Sequence, residues 1–380
     1  MAPPDDAKRL VSTLFPFGHD TAQSATLPER ASPSYFLVAS WGHSGSIWLA
    51  GSLNVHDAVC ATVGVYHPVE CFAYYPINRD SDYVARNAPA ELGRHGFSVL
   101  HEQHASSLRS VVAARGVDIS PRDPSQLPSY VFDELDLIPA AVPYTVLGNV
   151  HGMTLGQLHQ AYLANPRIFA GRHPIVVDLI RHPVGRTESA INATIKYHLT
   201  ALEPLISKFI QANADECLAL EREFRIDFSE PRPRAALHVY RQGLQNDVWA
   251  YEVREFPNAH RILLERLQSE PEYFAQVFST LTQGRLVADQ THLDRVFAPE
   301  NLGSGRQSTS ENARPPGTRE QYERWSPFEK AEFARVARRL GAPGLYFPFG
   351  YDFSFVTRSA ASRGSWFSEM CFPNSGSSLV

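Results

Sequence analysis

The chain has 380 residues, which is enough for two ordinary domains or one large one. Its 43% hydrophobic and 20% charged residues are typical of a globular protein and exclude a globally disordered chain. Lys and Arg number 35 against 40 Asp and Glu, so the net charge is −5. This acidic balance argues against a broad surface for a nucleic-acid backbone.

The chain carries no uninterrupted apolar run of about 18 residues, so we expect no membrane span. Its first eight residues contain two prolines and two aspartates and do not resemble a signal peptide. The four cysteines show no close-paired spacing, which is typical of proteins from a reducing compartment. We therefore expect a cytoplasmic protein.

Residues 1–33 are rich in Pro, Ala, Asp and Ser and are predicted to be an N-terminal extension. An apolar run at residues 35–39 predicts a first strand, and a turn of small residues follows at 40–46. Residues 47–53 then predict the start of a helix. Strand, glycine-containing loop and helix form a setting in which backbone N–H groups bind an anion.

The almost wholly apolar residues 175–180 predict a buried parallel strand, followed by Arg181-His182-Pro183 and a helix over 185–198. Further strands are predicted at 144–147 and 261–264, and helices at 106–115, 155–164, 202–224, 233–256 and 328–340. Alternating strands and helices indicate an α/β fold with a mostly parallel β-sheet flanked by helices. We expect one domain over 34–355, with 200–258 as an inserted helical cap and 356–380 as a C-terminal tail.

The first motif that suggests chemistry is the loop after the first strand, Gly42-His43-Ser44-Gly45-Ser46-Ile47-Trp48. It has the small residues and the position of a phosphate-binding loop, but it lacks the Gly-Lys of a Walker A motif. A kinase or ATPase is therefore disfavoured. The alternative is a tight strand-to-helix turn that binds nothing.

The second motif places Arg181 at the carboxyl end of a buried strand and Ser189 eight residues later on the next helix. An arginine and a hydroxyl at such a strand end can bind a phosphate together. The alternative is that Arg181 caps a helix or forms an ordinary salt bridge.

Together the two motifs resemble those of the PAPS-dependent sulfotransferases, which transfer a sulfuryl group from 3′-phosphoadenosine 5′-phosphosulfate (PAPS). The family's first loop reads Lys/Arg-Ser-Gly-Thr-Thr/Ser-Trp, and its second motif is Arg-x-Pro followed by a serine. The resemblance implies a P-loop-like sulfotransferase architecture, PAPS as donor, no required metal, and a small-molecule acceptor carrying a hydroxyl or amine. It also implies a set of cofactor-binding residues: His43, Ser44, Gly45, Ser46, Ile47, Trp48, Arg181 and Ser189.

Two weaker similarities follow in the expected order. Residues 261–267, with Glu270-Pro271 after them, are similar to a family strand that ends in Tyr-Glu. The segment from Gly317 to Trp325 is similar to the family's C-terminal Gly…Trp segment. The resemblance implies that Trp48 lies near the adenine of the nucleotide.

The chain also departs from the family pattern. His43 stands where the family has Lys or Arg, and we expect it to stabilise the oxygen that the sulfuryl group leaves. The family's Arg-Lys-Gly contact to the 3′-phosphate is not intact. Arg314 is its nearest match, with Arg306 and Arg319 as competitors.

Sulfuryl transfer needs a general base to take the acceptor's proton, and histidine suits neutral pH. His151 follows a predicted strand at the place of the family's catalytic histidine, although Asn149 replaces the family's lysine. The alternative is a core histidine satisfied by backbone groups. If the base is a glutamate, the competitors are Glu70, Glu91 and Glu102.

The sequence leaves other functions open. His56 and Cys60, and likewise His67 and Cys71, have a spacing that zinc sites use, but an apolar strand at 59–66 would separate the two pairs. A phosphoryl transferase of P-loop type lacks its lysine here. A non-catalytic nucleotide-binding protein with a degenerate site is the other alternative, since His43 and Asn149 each replace a basic residue.

Overall fold

The computed structural model describes residues 34–40, 43–63, 146–150, 154–156, 158–159, 174–242, 250, 252–298 and 317–356. Across these ranges, no helix combines the length and apolar character that crossing a membrane requires.

Five strands in the described residues form one parallel sheet, so the α/β fold is confirmed at this level. The strands are β1 (Ser34–Ala39), β2 (Val59–Val63), β3 (Val146–Val150), β4 (Ile175–Ile180) and β5 (Arg261–Leu263). Every residue of β4 is buried, as the apolar run predicts for a central parallel strand.

The strand order is β2-β3-β1-β4-β5. From β1 the chain goes first to the edge strand β2 and returns to β3 beside β1, and it then crosses to build β4 and β5 on the other side. The order therefore reverses between β1 and β4, and in open α/β sheets ligands bind at the carboxyl ends of the strands at such a switch point.

The strand predicted at 144–147 is described over Val146–Val150, and residues 144 and 145 lie outside the described residues. The glycine in this strand explains why the sequence pattern does not predict residues 148–150 as strand. A Cβ on Gly148 would lie 2.1 Å from Cε1 of Phe36, so the ring of a β1 residue occupies the side-chain position. Glycine and asparagine are weak strand formers, and the sequence pattern therefore hides the second half of β3.

Helices cover both faces of the sheet. The first is α1 (Ser46–Leu53), and α2 (Pro183–Ala193) continues as a π-helix (Thr194–His198) into α3 (Leu199–Ala212). The remaining helices are α4 (Ala214–Phe224), α5 (Pro231–Leu237) with a π-helix (His238–Gln242), α6 (Leu264–Ser269), α7 (Pro271–Leu281), α8 (Gln290–Val296), α9 (Thr318–Glu323), α10 (Pro327–Arg339) and α11 (Ala342–Tyr346), followed by a 3₁₀ turn (Phe347–Phe349).

Two hydrophobic clusters form the core of the described residues. One joins odd-numbered residues of β4, such as Val177, to side chains of α1, α7 and α8. The other joins Ile180 to side chains of α2, α4, α5 and α10. This division follows from the alternation of side chains along a strand, which gives each face of the sheet its own core.

Residues 200–258 are mainly helical where they are described, apart from turns at 225–230 and 256–258, and the predicted helices differ in their bounds. The predicted helix 202–224 is interrupted at Asn213, whose side chain donates a 2.8 Å hydrogen bond to the Phe209 carbonyl. That bond competes with continuation of the helix, as short polar side chains often do. The predicted helix 233–256 starts earlier, at Pro231, because proline favours the first helical turn.

The helical segment packs onto α2 and α10 through the same core cluster as the sheet. The role of this segment as a cap over an acceptor, and the domain limits at 34 and 355, stay predictions.

Candidate functional site

The candidate site lies at the carboxyl ends of β1 and β4, which are neighbours in the sheet. Their register aligns Ala39 with Asp178, so the loop after β1 and the turn after β4 leave the sheet side by side. The two motifs of the sequence therefore meet at the switch point of the fold.

The loop after β1 has an unusual backbone. His43 has φ 70° and Gly45 has φ 86°, both in the left-handed region that most side chains avoid. A Cβ on Gly45 would lie 2.5 Å from Cδ1 of Leu264, so only glycine fits against α6 here. This conformation turns the chain sharply from β1 into α1.

The start of α1 is suited to an anion. Gly45 is its N-cap residue and supplies no side-chain cap, and the first turn contains no acidic residue. Ser44 and Ser46 are buried beside this turn. Uncapped N–H groups and the positive end of the helix dipole attract negative charge.

Arg181 connects the two motifs directly. Its Nη1 donates a 3.0 Å hydrogen bond to the carbonyl of His43, a residue 138 positions earlier in the chain. Burial lowers the pKa of Arg181, and the nearby carboxylate of Glu265 opposes that shift. A guanidinium stays charged across physiological pH, so the site holds a fixed positive charge beside the loop.

Gly185 leaves room for that guanidinium. A Cβ at this position would lie 3.0 Å from Nε and 3.3 Å from Nη2 of Arg181, and also 3.3 Å from Oε1 of Gln321. Ser189 follows Gly185 by four residues on α2 and therefore lies on the same face of the helix. This geometry places Ser189 one helical turn beyond Gly185, the residue next to the Arg181 guanidinium.

His182 caps α2. Its Nδ1 accepts from the N–H of Val184 at 3.1 Å, and its Nε2 lies 3.2 Å from the carbonyl of Asp352, to which it can donate. The ring stacks on Phe353 with centroids 4.7 Å apart. Burial lowers the pKa of His182 to about 4, so the ring is neutral at pH 7. A neutral ring is required here because Nδ1 must accept a hydrogen bond.

Glu265, in the first turn of α6, also contacts this turn. Its Oε1 accepts from the N–H of His182 at 2.9 Å, and its Oε2 accepts from the hydroxyl of Tyr351 at 2.7 Å. Burial raises the pKa of Tyr351, and the charge of Glu265 raises it further. The phenol therefore remains a hydrogen-bond donor.

Buried charges lie on one face of the sheet close to the site. Asp178 of β4 and Arg261 of β5 are register partners, and their charged atoms are 3.2 Å apart. Glu252 accepts from the N–H of Gly156 at 3.0 Å. Burial raises the pKa of Glu252 to about 8, and the negative charge of Asp178 adds to the shift.

Trp48 lies in the core, 7% exposed, with its ring edge-on to Phe274 at 6.2 Å between centroids. Its indole nitrogen has no hydrogen-bond partner among the described residues. Contact with an adenine stays a prediction. The backbone of Ile47 lies in the first turn of α1, and its side chain is not described.

Several predicted site residues lie outside the described residues: His151, Arg314, Arg306, Glu70, Glu91, Glu102, His67 and Cys71. The side chains of Asn149 and Cys60 are not described either. Arg319 is described, and its side chain is exposed and forms an ion pair with Glu323 at 2.8 Å.

Of the four residues of the zinc alternative, the structure describes the side chain of His56. His56 accepts from the N–H of Ala58 through Nδ1 and packs beside His292 with ring centroids 5.7 Å apart. In the part of the chain that is described, no cluster of three or more His, Cys, Asp or Glu could hold a metal ion.

The chain matches no protein-family model, no curated protein and no solved structure. The function is therefore inferred from the motifs and from the geometry of the site.

Sequence reasoning missed three residues of the site, namely Gly185, Glu265 and Tyr351. Gly185 lies inside the second motif, four residues after Arg181, and this spacing in the sequence could have identified it. Glu265 belongs to the segment that resembles a family strand, but no role followed from that resemblance. Tyr351 lies 170 positions after Arg181 and showed no signal in the sequence.

Proposed function

We propose that the protein is a PAPS-dependent sulfotransferase of P-loop-like architecture. The observation that carries this proposal is the hydrogen bond from Arg181 to the carbonyl of His43, because it joins the two motifs at the switch point of a parallel sheet. An uncapped helix start, a loop with two left-handed residues and a buried arginine together suit a nucleotide with two separate phosphate groups.

Each part of the site takes one part of the nucleotide. The N–H groups at the start of α1, with Ser44 and Ser46, bind the 5′-phosphosulfate. Arg181 and Ser189 bind the 3′-phosphate, and Arg314 is the proposed third contact. The acceptor is a small molecule with a hydroxyl or amine, and we place the reaction in the cytoplasm.

The reaction is an in-line displacement at sulfur. The acceptor oxygen forms a new S–O bond while the bond from sulfur to the bridging oxygen breaks, which releases adenosine 3′,5′-bisphosphate (PAP). His151 takes the acceptor's proton, and His43 stabilises charge on the bridging oxygen. Positioning and charge stabilisation supply most of the rate in transfers of this kind.

Titration calorimetry with PAP tests the cofactor. We expect PAP to bind much more tightly than adenosine 5′-phosphosulfate, which lacks the 3′-phosphate. Arg181→Ala should weaken PAP by about tenfold or more, because a charge-assisted hydrogen bond contributes roughly 1.5–3 kcal/mol. Arg324→Ala, which removes only an exposed ion pair with Glu320, is the control. Equal affinity of the wild type for the two nucleotides would contradict the proposal.

Measurements of the turnover rate test whether His151 is the general base. His151→Asn should lower the transfer rate by about 10²–10⁴-fold while PAP affinity stays near that of the wild type. A variant with normal turnover would move the role to a glutamate. PAP binding by the wild type without transfer to any acceptor would favour a non-catalytic nucleotide-binding protein.

A further inference from the structure

We propose that Glu265 is a positioning residue for Arg181: its carboxylate fixes the backbone that follows the arginine and so fixes where the guanidinium meets the anion. The inference rests on the proposed function for its ligand, PAP. The placement of Arg181 by Glu265 does not depend on the proposed function, because it is argued from the geometry of the two residues.

The register of the sheet brings Glu265 to this place. β4 and β5 pair with Ile180 opposite Leu263, and His182 and Glu265 each follow that pair by two residues. The N–H of His182 therefore faces the start of α6, and Oε1 of Glu265 accepts from it at 2.9 Å. This bond holds the peptide immediately after Arg181.

The second carboxylate oxygen of Glu265 holds the chain on the N-terminal side of Arg181 through Tyr351. Oε2 accepts from the Tyr351 hydroxyl at 2.7 Å, and that hydroxyl also lies 3.5 Å from the carbonyl of Ile180, the residue before Arg181. The Tyr351 ring meets His182 edge-on with centroids 5.1 Å apart. Glu265 and Tyr351 thus contact the chain on both sides of the arginine.

The negative charge of Glu265 does not itself favour an anionic ligand. A carboxylate beside Arg181 offsets part of the positive charge that a phosphate would meet. We therefore assign the positioning role of Glu265 to its two hydrogen bonds. A substitution that keeps the hydrogen bonds and removes the charge distinguishes the two effects. A glutamine retains an acceptor for the His182 N–H and an NH₂ group beside the Tyr351 oxygen, but it carries no charge.

The experiment compares Glu265→Gln with Glu265→Ala by calorimetry with PAP. We expect Glu265→Ala to weaken PAP by about tenfold or more, and Glu265→Gln to bind at least as tightly as the wild type, because it keeps the bonds and removes the repulsion. Glu270→Gln, on the exposed i,i+4 pair with Arg266, is the matched control and should leave binding unchanged. Tyr351→Phe should fall between wild type and Glu265→Ala.

A spectroscopic readout keeps the inference separate from the proposed function. The NMR signal of the Arg181 ¹⁵Nε–H group can be assigned by its loss in Arg181→Lys. In the wild type and in Glu265→Gln its chemical shift should differ from that of a mobile arginine. In Glu265→Ala the shift should move to the motionally averaged value. If wild-type protein binds no PAP, the proposed function fails, and this signal still decides the inference. The inference about Glu265 is overturned if the folded Glu265→Ala variant binds PAP as tightly as the wild type and its Arg181 signal is unchanged. If that variant does not fold, Glu265→Gln and Tyr351→Phe decide by the same two measurements.

Discussion

His43 shows how one residue can serve through its backbone and its side chain separately. Its carbonyl accepts from Arg181, and its φ of 70° is a conformation that glycine adopts without strain. The proposed role in catalysis belongs only to the imidazole. Glycine at this position therefore removes the side chain and keeps the loop.

We expect His43→Gly to bind PAP with an affinity close to that of the wild type and to lose turnover by about 10²-fold, the usual cost of removing one group that stabilises developing charge. His43→Lys should retain activity because it restores a cation. Steady-state kinetics and calorimetry on the same preparations measure both quantities. Unchanged turnover in His43→Gly would show that the histidine serves the loop alone.

Gly185 offers a second test at the scale of a residue. Gly185→Ala places a Cβ 3.0–3.3 Å from two guanidinium nitrogens of Arg181, which must move by a few tenths of an ångström. Hydrogen bonds weaken with such displacements, and we expect PAP to bind about tenfold more weakly while the protein remains folded.

Gly51→Ala is the matched control for that substitution. Gly51 lies within α1, is exposed, and a Cβ there would meet nothing within 4 Å. Alanine in a helix interior should raise the free energy of unfolding by about 0.5–1 kcal/mol and leave PAP affinity unchanged. If Gly185→Ala binds PAP as well as Gly51→Ala does, Arg181 is not the group that contacts the nucleotide.

At the scale of an element, α2 depends on its N-terminal cap. His182 accepts from the N–H of Val184 only when neutral, and burial lowers its pKa to about 4 from an ordinary value of 6.5. The unfolded chain therefore binds a proton in this pH range and the folded chain does not. The free energy of unfolding should fall as the pH falls from about 6.5 towards 4.

This dependence predicts the behaviour of His182→Asn, since asparagine can cap a helix but does not titrate. Between pH 7 and pH 5 the wild type should lose roughly 2 kcal/mol more stability than the variant, from the size of the pKa shift. Urea unfolding of both proteins at the two pH values measures the difference. Parallel pH profiles would show that the folded histidine titrates normally.

At the scale of the whole molecule, a buried ion pair joins β4 to β5 on the face that carries the helices α2, α5 and α10. The side chains of Asp178 and Arg261 are 3% and 1% exposed, and Arg261 also donates to the carbonyl of Phe256 at 2.7 Å. Removing one partner leaves the other charge buried without compensation.

Arg261→Met should therefore lower the free energy of unfolding by about 3–5 kcal/mol. Adding Asp178→Leu should recover most of this loss, because the double variant leaves no unpaired charge on β4 or β5, although the Phe256 carbonyl still lacks its donor. Denaturant unfolding of the two single variants and the double variant measures the coupling. Additive effects would show that the two charges do not interact.

The sequence predicted the local parts of the fold because local patterns determine them. Apolar runs indicated β1 and β4, and the bounds of β4 were correct at both ends. Arg181-His182-Pro183 marked the end of β4, but the helix predicted from residue 185 begins two residues earlier, at Pro183, since the fixed φ of proline suits a first helical turn. The half of β3 that contains Gly148 escaped prediction because its side-chain space belongs to Phe36.

The tertiary structure alone decided how the parts meet. Neither the strand order nor the contact between Arg181 and His43 can be derived from either segment, since register between β1 and β4 is set by the packing of both faces. The roles of Glu265 and Tyr351 likewise come from contacts 83 and 86 positions apart in the chain. Sequence patterns report periodicity within one element, whereas a binding site depends on which elements the fold places side by side, and long-range packing makes that choice.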